Sequence, residues 1–277
     1  MSTAVSQTWY MTQRQLMVFT RQPAYAIITL IQPVIWLFLF GNLFKKVVEL
    51  GGFGTTTYLT YLVPGVVVMS ALSSNMWAGM GTLEEIQRGT LNRFLTTPVS
   101  RAALMNGNVV NNGLVTAFQS VVIVLLALAG GADYPGGAGG VAILVLASVL
   151  LGTIFGALSN ALGMLVQERE SIIGINTFLL LPLTFLSSAF MAPSQMPSWM
   201  RHIADFNPLN WAMVAGRSAL SDHPDWGAVL VRGGGLLALA GAAVWLSIRT
   251  IRTYRRAGLG GRGAGGPRGR PPAAPAA

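Results

Sequence analysis

Residues 179–220 read LLLPLTFLSSAFMAPSQMPSWMRHIADFNPLNWAMVAGRSAL, and this stretch decides how the chain folds. It begins as an apolar helix that contains Pro182 and continues as a segment that is interrupted by Pro193, Pro197 and Pro208. That segment is too polar to cross a membrane, yet it is too rich in Trp, Met and Phe for an ordinary solvated loop. We therefore expect it to re-enter the membrane or to lie at its interface, between two apolar helices.

Two short helices are predicted within this segment. Ser198 is expected to cap the first helix, which spans Trp199 to Phe206. Asn207 at the N-cap and Pro208 at the first helical position are expected to start the second helix, because proline has no amide hydrogen to leave unsatisfied there.

The composition of the chain is that of a membrane protein. Charged residues make up 10% and hydrophobic residues 52% of its 277 residues, and the mean hydropathy is +0.56, whereas soluble domains contain about 25% charged residues. The absence of cysteine excludes a disulfide framework, a thiolate metal site and a cysteine nucleophile. Seven of the eighteen basic residues follow residue 248, so the net charge of +9 fits a cytoplasmic tail better than nucleic-acid binding.

The sequence predicts an all-α integral membrane protein with six transmembrane helices. Crossing ~30 Å of hydrocarbon takes about 20 residues, and six apolar segments are long enough: approximately 24–44, 58–79, 109–130, 141–166, 172–190 and 228–247. An N-terminal interfacial helix is predicted over residues 8–22, with a plain juxtamembrane segment as the alternative. Residues 1–256 form one predicted transmembrane domain, and a disordered tail rich in Gly, Pro and Arg follows over 257–277.

The distribution of basic residues predicts that both termini lie in the cytoplasm. This orientation places thirteen of the eighteen basic residues on the cytoplasmic side, as the positive-inside rule requires. Those thirteen are Arg14, Arg21, Arg88, Arg93, Arg101, Arg169 and the seven arginines after residue 248. We therefore expect a multi-pass protein of the plasma membrane whose basic tail contacts membrane lipids.

The longest predicted cytoplasmic loop, residues 82–108, has a pattern of its own. Thr82 followed by Glu85 matches a capping box, which predicts that a helix opens at Thr82, and helical spacing continues until Pro98. A charged face beside a ridge of Leu and Phe favours docking of a partner protein. An interfacial helix that packs on lipid and on its own bundle is the alternative.

No catalytic chemistry is predicted for the chain. Lys45 and Lys46 are its only lysines, and neither follows glycine nor precedes Ser or Thr, so a phosphate-binding loop that ends in Gly-Lys-Ser/Thr is absent. The clear span interiors contain no Asp, Glu or Lys, which disfavours coupling through a buried carboxylate. A secondary-active efflux transporter and an integral-membrane enzyme are therefore weaker alternatives to a transporter with an external ATP-driven motor.

Two further patterns have structural interpretations. Four polar residues of the outer side lack a recognised metal-ligand spacing, so we expect solvated or helix-capping roles and no metal site: His202, Asp205, His223 and Asp225. Small residues recur every three or four positions along the fourth span and predict close helix packing: Gly152, Gly156, Ser159 and Gly163.

Two ordered motifs resemble those of one family. The run P-L-x-F-L-S-S-x-F-x-x-P-x-x-M-P-x-W, followed by N-P-L and Arg217, is similar to the signature of the type-2 permeases of ATP-binding cassette (ABC) exporters. The run E-E-x-x-x-G-T-x-x-R-x-x-x-x-P-V-S-R is similar to the loop of these permeases that contacts the ATP-binding subunit. Phe94-Leu95 stands where many relatives have Leu-Leu. The chain most resembles the branch of daunorubicin/doxorubicin resistance permeases.

The resemblance implies a separate ABC ATP-binding subunit that holds ATP and Mg²⁺, and no cofactor bound by this chain. It also implies pairing of two copies, or of one copy with a paralogous permease, and outward transport of an amphipathic or lipophilic compound such as a drug or a lipid. The implied ATPase-docking residues are Glu84, Glu85, Arg88, Gly89, Arg93, Phe94, Pro98 and Arg101. The candidates for lining the translocation path are Met69, Asn75, Phe178 and Phe185. The outer signature comprises Pro182, Ser187, Pro193, Pro197, Trp199, Asn207, Pro208 and Arg217.

Overall fold

The computed structural model describes residues 23–44, 57–88 and 101–260, with side chains over 29–44, 57–88 and 107–250. Within these ranges the chain is helical apart from turns and short connections. The helices are α1 (Pro23–Leu43), α2 (Tyr58–Met76), α3 (Ala78–Gln87), α4 (Arg101–Ala129), α5 (Gly137–Val166), α6 (Arg169–Phe185), α7 (Ser198–Phe206), α8 (Pro208–Leu220) and α9 (Trp226–Gly260). The predicted interfacial helix over residues 8–22 lies outside the described residues.

Four stretches are long and apolar enough to cross a membrane, which confirms an all-helical, multi-pass membrane architecture. They are Tyr58–Gln87, Gly107–Ala129, Gly137–Val166 and Trp226–Thr250. α1 and α6 correspond to the predicted first and fifth spans. The part of α1 with described side chains, Thr29–Leu43, and the 17 residues of α6 are shorter than a full span, which takes about 20 residues. The total of six spans stays a prediction.

α5 is the central helix of the bundle and packs against α2, α3, α4, α8 and α9. Leu144 and Leu151 are fully buried along it, and the core continues through Leu72 of α2 and Leu209 of α8. The long helices alternate in direction. One end of the bundle therefore carries Glu84 and the start of α6, and we call it the Glu84 end; the other carries α7 and α8, and we call it the Asn207 end.

The second predicted span is interrupted at Trp77, which separates α2 from α3. The prediction that a helix opens at Thr82 is therefore wrong. Thr82 lies inside α3, where its buried hydroxyl donates a hydrogen bond to Asn160 Oδ1 at 2.8 Å instead of capping a helix start. At the interruption, Asn176 Nδ2 of α6 donates to the Met76 carbonyl at 2.6 Å. Both partners are remote in sequence, so a local pattern does not reveal them.

The small residues of α5 allow close packing, as predicted. A Cβ atom added to Gly163 would lie 2.4 Å from the carbonyl oxygen of Gly79, and one added to Gly79 would lie 2.2 Å from the carbonyl oxygen of Ser159. The Gly79 amide also donates to the Ser159 hydroxyl at 2.9 Å. α3 and α5 therefore touch backbone to backbone, a contact that only glycine permits at these positions.

Several helix ends differ from the prediction. Asn207 caps α8 as predicted, since its Oδ1 accepts from the Leu209 amide at 3.0 Å. The Ser198 cap is wrong, because Ser198 is the first residue of α7 and Pro197 occupies the cap position without a side-chain hydrogen bond. α9 continues to Gly260, beyond the predicted span end at residue 247 and domain boundary at residue 256. Residues 261–277 of the predicted tail lie outside the described part of the chain.

Candidate functional site

The chain leaves α6 at Leu186 and runs through bends to Ala192, inside the bundle. We call residues 186–192 the signature segment. Ala189 and Ala192 are fully buried, and buried carbonyl groups outside a helix require other hydrogen-bond partners. Side chains from α2, from α8 and from the junction between α7 and α8 provide these partners.

Two tyrosines of α2 donate to this segment. The Tyr61 hydroxyl lies 3.0 Å from the Ser188 carbonyl oxygen and 2.9 Å from that of Met191, and it shares its hydrogen between them. The Tyr58 hydroxyl donates to the Phe190 carbonyl at 3.2 Å. α2 therefore anchors three successive parts of the segment through phenol groups.

Asn207 determines where α6 ends. Its Nδ2 donates to the carbonyl oxygens of Leu183 at 2.7 Å and Leu186 at 3.0 Å. The last carbonyl groups of a helix lack intrahelical partners, and the Asn207 amide satisfies two of them. This is the physical reason why α6 stops at Phe185, before the predicted end at residue 190.

Asn210 links the signature segment to α7. Its Oδ1 accepts from the Ser188 amide at 3.1 Å and from the Ser188 hydroxyl at 2.6 Å. Its Nδ2 donates to the Ala204 carbonyl at 3.0 Å. One buried carboxamide thus uses its donor and its acceptor to join two elements.

Arg217 of α8 lies at the centre of this arrangement. Its Nη1 donates to Ser188 Oγ at 3.0 Å, its Nη2 to the Ala189 carbonyl at 3.2 Å and its Nε to the Tyr61 carbonyl at 3.4 Å. The guanidinium carbon is 3.8 Å from the centre of the Tyr61 ring, which is within cation–π distance. In the described ranges, no carboxylate forms an ion pair with Arg217. We call Tyr61, Ser188, Asn210 and Arg217 the Arg217 cluster.

The charge of Arg217 is balanced by oxygen dipoles and an aromatic face. Burial lowers the pKa of Arg217, while the neighbouring Tyr61 and Tyr58 act in the opposite direction. Arginine nevertheless stays protonated in proteins. A permanent cation therefore holds the signature segment against α2.

The other predicted signature residues have structural positions around this cluster. Ser187 Oγ donates to the Thr184 carbonyl at 2.6 Å. Pro193 begins a short 3-10 turn that ends at Gln195. Pro182 lies inside α6. Pro197 directly precedes α7, and Pro208 is the first residue of α8. Trp199 is 60% exposed on α7. Ser187, Asn207 and Arg217 thus each bond the end of α6 or the signature segment, whereas Trp199 is exposed on the surface.

The four predicted path residues do not line one cavity within the described chain. Met69 lines a groove of about 60 Å³ between α1 and α2, together with Trp36, Val66 and Phe190, and with the hydroxyls of Ser70, Ser73 and Ser74. Asn75 is buried, and its Nδ2 donates to the Ala71 carbonyl and to Thr116 Oγ1, each at 2.8 Å. Phe178 and Phe185 are 75% and 59% exposed on α6.

A second cavity, of about 300 Å³, lies at the Glu84 end between α2, α3, α4 and α5. We call it the polar chamber. Carboxamides form much of its wall, beside one indole and one carboxylate. Its lining residues are Ser74, Trp77, Ala78, Gly81, Thr82, Glu85, Asn108, Asn111, Asn112 and Asn160.

The predicted docking residues fall into two groups. Glu84 and Glu85 lie near the end of α3, and Arg88 is its C-cap. Glu84 forms ion pairs with Arg88 at 3.3 Å and with Arg169 at 3.2 Å, so it joins α3 to the start of α6. Arg101 is the first residue of α4. Gly89, Arg93, Phe94 and Pro98 lie outside the described residues.

The polar residues near the Asn207 end have local partners. Asp225 caps α9, since its Oδ1 accepts from the Ala228 amide at 3.1 Å, which confirms the predicted capping role. A ring nitrogen of His202 lies 2.8 Å from the Ser198 carbonyl oxygen. Over the described ranges, no group of three or more His, Asp or Glu residues is arranged to hold a metal ion.

A family model described as ABC-2 type transporter matches residues 6–220. This match includes every helix from α1 to α8, and with them the Arg217 cluster and the polar chamber. The chain belongs to the ABC-2 type transporter family.

Two relatives illustrate where this ABC-2 chain stands in the family. It is 31% identical over 259 residues to the daunorubicin resistance ABC transporter permease protein DrrB1 of Streptomyces coeruleorubidus, an alignment that covers 92% of this chain and 88% of that protein. It is 24% identical over 196 residues to the inner membrane transport permease YadH of Escherichia coli K12, over 68% of this chain and 73% of that protein. These likenesses confirm the predicted family and identify a transport permease subunit that pairs with an ATP-binding subunit.

Sequence reasoning missed several residues of the permease site. Tyr58, Tyr61 and Asn210 are not in the predicted site, although each bonds the signature segment or α7. A usable signal existed for Asn210, which lies three residues after the cap Asn207. The tyrosines lie more than 120 residues before their partners, so no local pattern points to them.

Proposed function

We propose that the chain is the permease subunit of an ATP-driven exporter that moves an amphipathic or lipophilic compound, such as a drug or a lipid, out across the plasma membrane. The observation that carries the proposal is the 31% identity, over 92% of this chain, to a permease named for daunorubicin resistance. ATP and Mg²⁺ are held by a separate subunit. This chain supplies the membrane path.

The packing of α3 supports a route from the ATP-binding subunit into the bundle. α3 leads directly into the proposed docking loop, and it touches α5 backbone to backbone at Gly79. The ion pair between Glu84 and Arg169 also joins it to α6. A displacement of the docking loop would therefore act on both α5 and α6, because close-packed protein interiors have low compressibility and transmit strain.

The surface of α6 supports pairing with a second permease. Several apolar side chains of this helix are not covered by other parts of the described chain. Among them are Phe178, Leu181 and Phe185, which are 75%, 53% and 59% exposed. A second copy, or a paralogous permease, would cover them and place the translocation path between the two subunits. Phe178 and Phe185 would then line that path as predicted.

Transport by the reconstituted complex tests the proposed function. The permease and its ATP-binding subunit are expressed together, and inverted membrane vesicles are assayed for uptake of a panel of amphipathic drugs. We expect uptake that requires both subunits and hydrolysable ATP. Uptake that follows a proton or sodium gradient without ATP would instead indicate a secondary-active transporter.

The orientation of the permease can be measured with introduced cysteines, since the chain has none. Gly52→Cys and Asp222→Cys are expected to react with an impermeant thiol reagent in intact cells, whereas Asn106→Cys is not. The reason is the excess of arginine in the segments proposed to be cytoplasmic. The reverse labelling pattern would place the docking loop on the outer side of the membrane, where no cytoplasmic ATP-binding subunit could reach it.

Phe94→Ala is expected to weaken binding of the ATP-binding subunit. A buried aromatic anchor contributes ~2 kcal/mol or more to an interface, so recovery of the ATP-binding subunit with the tagged permease should fall by about thirtyfold at limiting concentrations. Glu85→Gln tests the charge contact separately, because Thr82 lies inside α3 and its hydroxyl bonds Asn160 instead of capping a helix start.

Phe206→Ala is the matched control for this measurement. Phe206 is 81% exposed at the end of α7, on the opposite end of the bundle, so its loss should leave recovery of the ATP-binding subunit unchanged. If recovery of the ATP-binding subunit and transport are both unchanged in Phe94→Ala, in Arg93→Ala and in Glu85→Gln, then this loop does not dock the ATP-binding subunit.

A further inference from the structure

Arg232 is a cation inside the last apolar stretch of the chain, Trp226–Thr250, where it is half-buried on α9. In the part of the chain that the structure describes, it forms neither an ion pair nor a hydrogen bond. Arg217, by contrast, has three oxygen acceptors. An arginine in a membrane span is costly unless it is paired or reaches polar groups at the interface. Arg232 therefore requires an acceptor from outside the described residues.

The spacing of charges along α9 indicates how deep Arg232 lies. The next charged residue is Arg249, and residues 233–248 carry no charge. At 1.5 Å per residue the two Cα atoms are ~26 Å apart, whereas the hydrocarbon core is ~30 Å thick. Long arginine side chains extend towards the headgroups while their stems stay among apolar groups. The two arginines therefore fit opposite interfaces of the membrane, with Arg232 at the Asn207 end.

Two tryptophans of α9 support this depth. Trp226 precedes Arg232, Trp245 precedes Arg249, and both indoles are 56% exposed. Tryptophan is enriched at both membrane–water interfaces, and the two indoles are separated by ~29 Å along the helix. Arg232 thus lies at most ~9 Å deeper than the interfacial Trp226. From this depth the side chain of an arginine reaches the phosphate groups of the nearer leaflet.

Arg232 shares its side of α9 with an exposed leucine. Leu239 follows Arg232 by about two helical turns, so the two side chains lie almost in line along the helix, and Leu239 is 37% exposed. Gly235 lies between them and meets α8, since a Cβ atom added there would lie 3.0 Å from the Trp211 ring. This side of α9 therefore presents a cation and, nearer the middle of the span, an apolar side chain, both beside α8.

The order of these groups matches that of a phospholipid. Phosphate oxygens accept two parallel hydrogen bonds from a guanidinium group. Leu239 is ~11 Å further along the helix, which is within the ~15 Å of hydrocarbon that one leaflet contributes, so an acyl chain would cover it. A soluble anion would leave Leu239 uncovered. A headgroup with net negative charge suits the cation better than a zwitterionic one, because it brings no second cation.

We propose that Arg232 and Leu239 form a binding site for an anionic phospholipid, which we call the α9 lipid site. The phosphate group binds Arg232 and an acyl chain lies along Leu239, in the leaflet at the Asn207 end. The site is independent of the proposed function, since binding requires neither ATP nor the partner subunit nor a particular orientation of the permease.

A fluorescent label at Leu239 can report which lipid covers this position. Leu239→Cys provides a single thiol, because the chain has no other cysteine, and it is labelled with bimane. The permease is placed in vesicles of phosphatidylcholine and phosphatidylglycerol in equal amounts. One of the two lipids at a time carries bromine on its acyl chains, and bromine quenches bimane on contact. We expect phosphatidylglycerol to be favoured about fivefold, the factor that corresponds to one basic side chain attracting an anionic lipid.

Arg232→Gln in the labelled chain should abolish this preference. Arg232→Lys should retain most of it, because lysine also binds phosphate as a point charge. Arg201→Gln removes an exposed cation from α7, near the same end of the bundle, and should leave the preference unchanged. A preference that survives Arg232→Gln, or one that Arg232→Lys loses as completely, would contradict the α9 lipid site.

Leu237→Cys is the matched control for the position of the label. Leu237 is 62% exposed at nearly the same depth as Leu239, but it is rotated by ~200° about the helix axis and thus faces away from Arg232. Bimane there should be quenched equally by the two brominated lipids. Equal preference for phosphatidylglycerol at Leu237 and Leu239 would indicate a general attraction between anionic lipid and a basic protein, and it would overturn the proposal.

Discussion

Gly79→Ala is expected to destabilise the permease more than the addition of a methyl group at any other position of α3. The new Cβ atom would lie 2.2 Å from the carbonyl oxygen of Ser159, a backbone atom that cannot rotate away. α3 and α5 would have to separate, which would stretch the hydrogen bond from the Gly79 amide to Ser159 Oγ. Overpacking of this kind costs up to about 3 kcal/mol, which corresponds to a fall in melting temperature of roughly 5–10 °C for a chain of this size.

Gly81→Ala is the control for this result, and thermal unfolding in detergent is the measurement. Gly81 is two residues further along the same helix, so both substitutions add one methyl group and the same helix propensity. A Cβ atom at Gly81 meets no atom within 4 Å, and we expect its melting temperature to be unchanged or slightly raised. Equal melting temperatures for the two variants would mean that α3 and α5 are not in contact at Gly79.

The same contact should matter for transport. α3 connects the proposed docking loop to α5, so a gap at Gly79 would loosen the connection between ATP hydrolysis and the bundle. ATP hydrolysis by the assembled complex should then persist in Gly79→Ala while transport per ATP falls. Loss of both activities in parallel would indicate misfolding rather than uncoupling.

Patterns that depend on one element could be predicted from the sequence. The Asn207-Pro208 pair starts α8 because capping involves only the next two residues. The small residues of the fourth span predicted close packing because they lie on one face of one helix, and Gly163 does meet the backbone of α3. The apolar segments likewise appear as helices, because each satisfies its own backbone hydrogen bonds.

Features that depend on contacts between distant elements could not be predicted. Thr82 has the local pattern of a capping residue, yet its hydroxyl bonds Asn160, 78 residues away. The end of α6 depends on an amide from Asn207, 24 residues beyond Leu183. The polar chamber requires asparagines from α4 and α5 to face α3, and a hydrophobicity profile treats each of these residues only as a weak interruption of a span.

Arg217→Ala is expected to produce the second large effect, a loss of stability. The reason is that the signature segment would lose its hydrogen bonds to the guanidinium group. The guanidinium donates to the Tyr61 and Ala189 carbonyls and to Ser188 Oγ, and all three acceptors would lose a charged donor inside the bundle. A hydrogen bond to a charged group contributes about 1.5–3 kcal/mol. Since removal also relieves the cost of burying a cation, we expect a net loss of about 3 kcal/mol, measured as a lower melting temperature and as faster amide exchange over residues 186–192.

Three variants separate the causes of this loss. Arg201→Ala is the control for charge alone, since Arg201 is exposed and, among the residues that the structure describes, donates to the Met196 carbonyl alone, at 3.2 Å. The melting temperature of this variant should stay within error of the original. Arg217→Lys keeps the cation but cannot donate to three acceptors in a planar fork, so it should recover only part of the stability. Tyr61→Phe keeps the ring under Arg217 and removes the hydroxyl that contacts Ser188 and Met191. If Arg217→Ala melts and exchanges like the original chain, the signature segment is held by its apolar contacts, and the guanidinium must serve the path instead.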